Sequence, residues 1–94
     1  MNRTHYTPVH PGEVLMDELE ETGISQSALA NHIGVLPKTI NEICRGKRGI
    51  SAEMAVKLSK AFGGNPQFWM NLQNNWEISQ INETSFANIK HIAA

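Results

Sequence analysis

Between Pro37 and Arg48 the chain gathers side chains able to read base edges and to grip a polyanion. Lys38 can donate to guanine acceptors, Thr39 can meet a thymine methyl group or a base edge, and Asn41 can pair with adenine. Glu42 can accept from cytosine, but it would repel phosphates wherever it missed. Arg45, Lys47 and Arg48 follow directly and suit phosphate neutralisation. Upstream, Gln26 and Ser27 open a separate segment whose free backbone N–H groups also suit phosphate oxygens. The chemistry implied is recognition of duplex DNA, with base readers flanked on both sides by backbone contacts.

Readers of this kind work only if a rigid corner aims them, and Ser25 to Gly46 (SQSALANHIGVLPKTINEICRG) has the pattern of one. Ser25 is a good N-cap for a helix in which Leu29 and Ile33 share a face. Ala30 is small where a second helix must approach. Gly34 can take the left-handed backbone that turns the chain, and Val35 plugs the elbow. Pro37 suits the first turn of the next helix, where its missing N–H costs nothing. Ile40, Ile43 and Cys44 form an inward stripe there, which leaves the polar residues pointing away. A helix-turn-helix presents the start of its second helix to the major groove.

The rest of the chain supplies the body. Residues 1–10, with Pro8 and little periodicity, are expected to form an N-terminal arm. A first helix is predicted from Pro11 to Thr22, stopped by Gly23, with Leu15 and Leu19 inward and Met16 or Val14 adding width. Ser51 caps a fourth helix with Met54, Leu58, Ala61 and Phe62 inward, ended by Gly63 and Gly64. Asn65 and Pro66 open a fifth, over 66–79, whose Phe68, Trp69, Leu72 and Trp76 recur at helical spacing. Residues 80–94 form a tail in which Ile81, Phe86, Ile89 and Ile92 could line a weak last helix. Asn82, Thr84, Ser85 and Asn88 oppose that helix. Five helices and no convincing strand predict an all-α domain spanning 11–79.

Composition narrows the functions further. The 94 residues suffice for one hydrophobic core. The net charge of −1 hides a division. Residues 13–21 carry Glu13, Asp17, Glu18, Glu20 and Glu21 with no base, whereas residues 38–60 carry six bases against Glu42 and Glu53. Two oppositely charged faces suggest two kinds of partner. The single cysteine, Cys44, fits a reducing cytoplasm and reads as a small buried apolar residue. No apolar run suggests a membrane span or a signal peptide. His5, His10, His32 and His91 are scattered without metal-ligand or triad spacing, so no metal, no cofactor and no enzymatic activity are expected.

The fifth helix carries a large apolar load, since each aromatic buries on the order of 150–250 Å². Part can cover the core, and the remainder predicts a two-fold dimer through Phe68, Trp69, Leu72 and Trp76. A dimer would set two reading helices about 34 Å apart, one turn of DNA.

The set Gln26, Ala30, Gly34, Val35, Ile40 and Ile43 resembles the five-helix DNA-binding domain of the phage lambda and 434 repressors. The stretches HPGEVL (His10 to Leu15), LPKTINEI with GKRGIS (Leu36 to Ser51) and GNPQFWMNLQNNWE (Gly64 to Glu77) are similar to the HigA antitoxins of bacterial toxin–antitoxin modules. The resemblance covers roughly residues 8–78. It implies a lambda-repressor-like fold and a cytoplasmic homodimer that represses its own operon on double-stranded operator DNA. It also implies neutralisation of a cognate HigB-type, mRNA-cleaving toxin. Gln26, Lys38, Thr39, Asn41 and Arg45 match the places of DNA contacts in the family. Pro37 departs from the pattern, standing where phage repressors carry a base-reading glutamine, which shifts reading to Lys38, Thr39 and Asn41. A toxin-binding module with vestigial DNA binding and a stand-alone regulator without a toxin are the alternatives. No motif marks a toxin-binding surface.

Overall fold

Five α-helices carry the chain from Pro11 to Ser79 in a computed structural model that describes residues 8–93. They are α1 (Pro11–Thr22), α2 (Gln26–Ile33), α3 (Pro37–Cys44), α4 (Ala52–Phe62) and α5 (Pro66–Ser79). The fold class is all-α, as the periodicity predicts. Most of the expected arm lies outside the described residues, as do His5 and Ala94. Among the described residues no helix is long and apolar enough to cross a membrane.

Capping explains where the helices begin. Ser25 Oγ accepts from Ala28 N at 3.0 Å, Ser51 Oγ from Met54 N at 3.1 Å, and Asn65 Oδ1 from Phe68 N at 3.3 Å. Each bond satisfies one of the orphan donors that a helix start leaves open. For α1 the cap is His10, whose Nδ1 accepts from Gly12 N at 2.9 Å ahead of Pro11 at the first helical position. At the corner between α2 and α3, Gly34 has φ +74°, and Val35 N donates back to Ala30 O at 2.9 Å. That left-handed residue is what turns α3 across α2.

Leu15, Leu29, Ala30, Ile40, Ile43, Ala55 and Leu58 are wholly buried and are joined in the core by Leu19, Ile50, Met54 and Trp69. Val14, not Met16, widens the α1 stripe; Met16 is half exposed. Ala61 and Phe62 pack at the core margin. Cys44 is buried as expected, and burial pushes its thiol pKa up. Gly12 is the contact point of α1 with α3, because a Cβ there would collide with the Ile43 carbonyl. The α3 helix is thus seated by backbone-to-backbone approach as well as by its apolar stripe.

The weak last helix does not form. Glu83–Phe86 makes a single 3₁₀ turn, nucleated by Asn82 Oδ1 accepting from Thr84 N at 3.2 Å, and the chain continues without regular structure. The side chains of Asn82 and Thr84 bond locally, Thr84 Oγ1 donating to Asn82 Oδ1 at 2.6 Å, and compete with a continuous helical ladder. Ile81, Phe86, Ile89 and Ile92 are left exposed.

Candidate nucleic-acid interface

The residues of α3 and its C-cap Arg45 divide between core, margin and solvent. Ile40, Ile43 and Cys44 point inward, while Lys38, Asn41 and Arg45 stand exposed and Thr39 and Glu42 are half-buried at the margin. The Lys38 side chain is 80% exposed, against 26% for Glu42 one turn on. No side chain caps α3, because Leu36 occupies the cap position, so Lys38 N lies at an open helix start.

Two of the predicted contacts are already engaged inside the protein. Asn41 Nδ2 donates to Gln26 Oε1 at 3.2 Å, spanning the corner from α3 to the first residue of α2. Gln26, expected at phosphate, uses its Oε1 in this bond and keeps its own amide N–H groups free of it. Ser27 beside it is exposed. The bond uses one of the two Asn41 amide hydrogens, which leaves Oδ1 and the other hydrogen free for a bidentate partner.

Glu42 forms the second internal link. Arg48 Nε and Nη2 both donate to Glu42 Oε1, at 2.9 and 2.7 Å, and Lys38 Nζ lies 4.0 Å from Oε2. The Arg48 hydrogen bonds hold the Glu42 carboxyl below its usual pKa, with Arg48, Lys38 and Arg45 charges adding to the effect. The carboxylate is therefore drawn toward the loop after α3. In turn Arg48 is partly neutralised, whereas Arg45 and Lys47 form no ion pair with another described residue.

The basic loop is held at both ends. Gly46 N donates to Ile43 O at 3.0 Å and Lys47 N to Glu42 O at 2.8 Å. At the far end, Ile50 N donates to Gln73 Oε1 at 2.6 Å, and Gln73 Nε2 donates to Glu77 Oε2 at 2.7 Å. Gln73 is buried, so this bond ties the loop to α5 from within. Sequence reasoning missed Gln73; its only signal was its position four residues after Trp69. It also missed His10, whose place directly before Pro11 was the available sign of a cap.

The predicted dimer set divides between core and surface. Trp69 is only 2% exposed and belongs to the protein's own core, which removes it from any intermolecular surface. Trp76 is half-buried against His10, with ring centroids 4.8 Å apart in an edge arrangement. Leu72 packs at the core margin. Phe68 is 48% exposed and meets Trp69 edge-on at 5.2 Å.

Known proteins share this architecture. The chain matches the model of a helix-turn-helix family over residues 15–69. Antitoxin HigA-1 of Vibrio cholerae is 40% identical over 75 residues, covering 79% of this chain and 70% of that protein. PA4674 of Pseudomonas aeruginosa, solved in complex with its 18-bp operator DNA, aligns with a TM-score of 0.84 at 41% identity, over 92% of this chain and 98% of that one. Antitoxin HigA of Pseudomonas aeruginosa, solved with the higBA promoter, aligns with a TM-score of 0.75 at 46% identity, over 86% and 85% of the two chains.

Proposed function

Because the chain belongs to the helix-turn-helix family that includes the HigA antitoxins, we propose that it binds operator DNA as a homodimeric repressor of its own toxin–antitoxin operon. In this reading it also neutralises a cognate HigB-type toxin that cleaves messenger RNA. The observation that carries the DNA-binding role is the exposed outer face of α3, seated on the core by Ile40 and Ile43 and followed by a pinned basic loop. Relatives of like architecture have been solved on operator or promoter DNA.

Lys38, Thr39 and Asn41 read bases in the major groove, Lys38 toward guanine and Asn41 toward adenine. Gln26 orients Asn41. Ser27, Arg45 and Lys47 hold phosphates, and Arg48 joins them while still restraining Glu42. Phe68, with the exposed Ile78 on the same helix and the apolar tail, supplies surface for a two-fold interface. Linking two modules raises the effective concentration of the second on its half-site.

A fluorescence-anisotropy titration against the DNA upstream of its own gene tests this function. Binding at least about a thousandfold tighter than to a scrambled duplex at the same salt is expected. Equal affinity for both duplexes would rule out operator recognition. Co-purification with the product of the adjacent reading frame, and loss of that product's ribonuclease activity in the complex, test the antitoxin role.

A further inference from the structure

Two cavities open side by side where α1, α2 and the end of α4 meet. One, of about 430 Å³, is lined by Met16, Leu19, Glu20 and Ile24 among others. The second, of about 370 Å³, is lined by Ile24, Ala28, Leu29 and Phe62 with their neighbours. Ile24 is the wall they share. Met16 is 50% exposed and Ile24 38% exposed, so the groove offers apolar side chains to solvent. It contains none of the base readers on α3, although Gln26 is one of its lining residues.

The acidic residues of α1 border this groove. Asp17, Glu20 and Glu21 line an adjoining concavity, and Glu20 faces both. None of them forms an ion pair with another described residue. Their spacing sets like charges three and four residues apart, which weakens the helix that carries them. Glu20 and Glu21 also occupy its last turn, which holds no base and where the backbone carbonyls already present negative charge. A stripe that acts against its own helix, beside an exposed apolar groove, is complementary to a cation carried on an apolar segment.

We propose that this α1–α2 groove is the docking surface for the toxin, and that it takes a cationic amphipathic segment of that protein. Aliphatic side chains of the segment fill the cavities on either side of Ile24. Its lysines or arginines pair with Asp17, Glu20 and Glu21. The assignment rests on the antitoxin reading and gives the toxin and the outer face of α3 different residues of the same small domain, with Gln26 between them.

The test uses the full chain and the purified product of the adjacent reading frame, with affinities measured by calorimetry at two salt concentrations. Two variants are compared with wild type: Ile24→Ser, and the triple variant Asp17→Asn, Glu20→Gln, Glu21→Gln. Each is expected to bind the partner at least tenfold more weakly, and the triple variant with a shallower salt dependence. Relief of repulsion should raise the melting temperature of the triple variant, which separates lost recognition from lost folding. Operator binding should be no weaker than wild type in both. A wild-type complex whose affinity changes less than twofold in both variants would overturn the groove assignment and leave the antitoxin reading intact. Absence of any wild-type complex would overturn both together.

Discussion

The amide of Asn41 on α3 is held by the amide of Gln26 on α2, Nδ2 to Oε1, at 3.2 Å. An asparagine that pairs with adenine must present its oxygen and one amide hydrogen in a fixed plane. The Gln26 bond takes the second hydrogen and so selects the plane. Asn41→Ala should therefore relax preference at one base pair by about 1–3 kcal/mol. Gln26→Ala should lose a part of the same preference at the same base pair, on the order of 1 kcal/mol. Binding assays on operators mutated one position at a time, run for both single mutants and the double mutant, check this. The effects should be less than additive, because the two residues act as a unit.

Charge contacts should behave differently. Lys47 lies in the loop after α3 without an ion pair to another described residue, so Lys47→Ala should weaken all sequences alike. The slope of log affinity against log salt should fall by about 1. Glu42→Gln should act in the opposite sense. It removes a carboxylate from beside the phosphates and releases Arg48 from its 2.7 Å bond. Affinity for random duplex DNA should rise several-fold, as about one further phosphate is neutralised. Titrations of nonspecific DNA at three salt concentrations measure both effects.

Much of this arrangement was legible in the chain because the signals are local. Ser25, Gly34 and Pro37 act within one turn of their own backbone, so a cap, a left-handed corner and a helix start follow from residue type and spacing. The burial of Ile40 and Ile43 follows from period alone. What could not be read was pairing across distance. Nothing in the spacing of Gln26 and Asn41, or of Glu42 and Arg48, says that these side chains meet, since that depends on the angle between elements. Trp69 illustrates the same limit. Helical periodicity groups it with Phe68 and Leu72, yet only the packing of α5 on α4 decides which aromatic enters the core. The tail was ambiguous for another reason, as its apolar residues recur at helical spacing but Asn82 bonds the backbone N–H of Thr84 and sets a single 3₁₀ turn instead.

His10 makes the domain sensitive to acid. Its Nδ1 accepts from Gly12 N only while unprotonated, and burial lowers its pKa from the ordinary 6.5, with Glu13 opposing more weakly. Since the folded state disfavours the imidazolium, its contribution is complete above pH 6.5. It is lost as pH falls from there through the lower folded-state value. Thermal melts at pH 7.5 and 5.5 should show a loss of stability on acidification that is smaller in His10→Asn, which keeps a capping side chain without the titration. His10→Ala should cost about 1–2 kcal/mol at pH 7.5, from the cap together with the edge contact to Trp76.

Gly12→Ala places a Cβ against the Ile43 carbonyl. Neither partner is a flexible side-chain end, so α1 must move off α3. A cost of about 1–3 kcal/mol is expected, or a fall of roughly 4–8 °C in melting temperature for each kcal/mol. A variant melting within 1–2 °C of wild type would show that the two helices do not approach so closely.

Gln73 extends this coupling from stability to DNA. Its carbonyl accepts the buried Ile50 N–H, and nothing else in the Gly46–Ile50 loop reaches α5 by a side-chain hydrogen bond among the described residues. Gln73→Leu keeps the volume near that of the amide but leaves Ile50 N unsatisfied, at a cost of about 1–3 kcal/mol. Lys47 and Arg48 sit on the loop so released, and their charges must then be ordered by the phosphates themselves. Operator affinity should fall several-fold beyond any loss from unfolding, while base preference stays unchanged. Hydrogen exchange at Ile50 measures the release directly. Faster exchange there, together with unaltered specificity in the operator-mutant series, is the combination that a loop pinned from α5 requires.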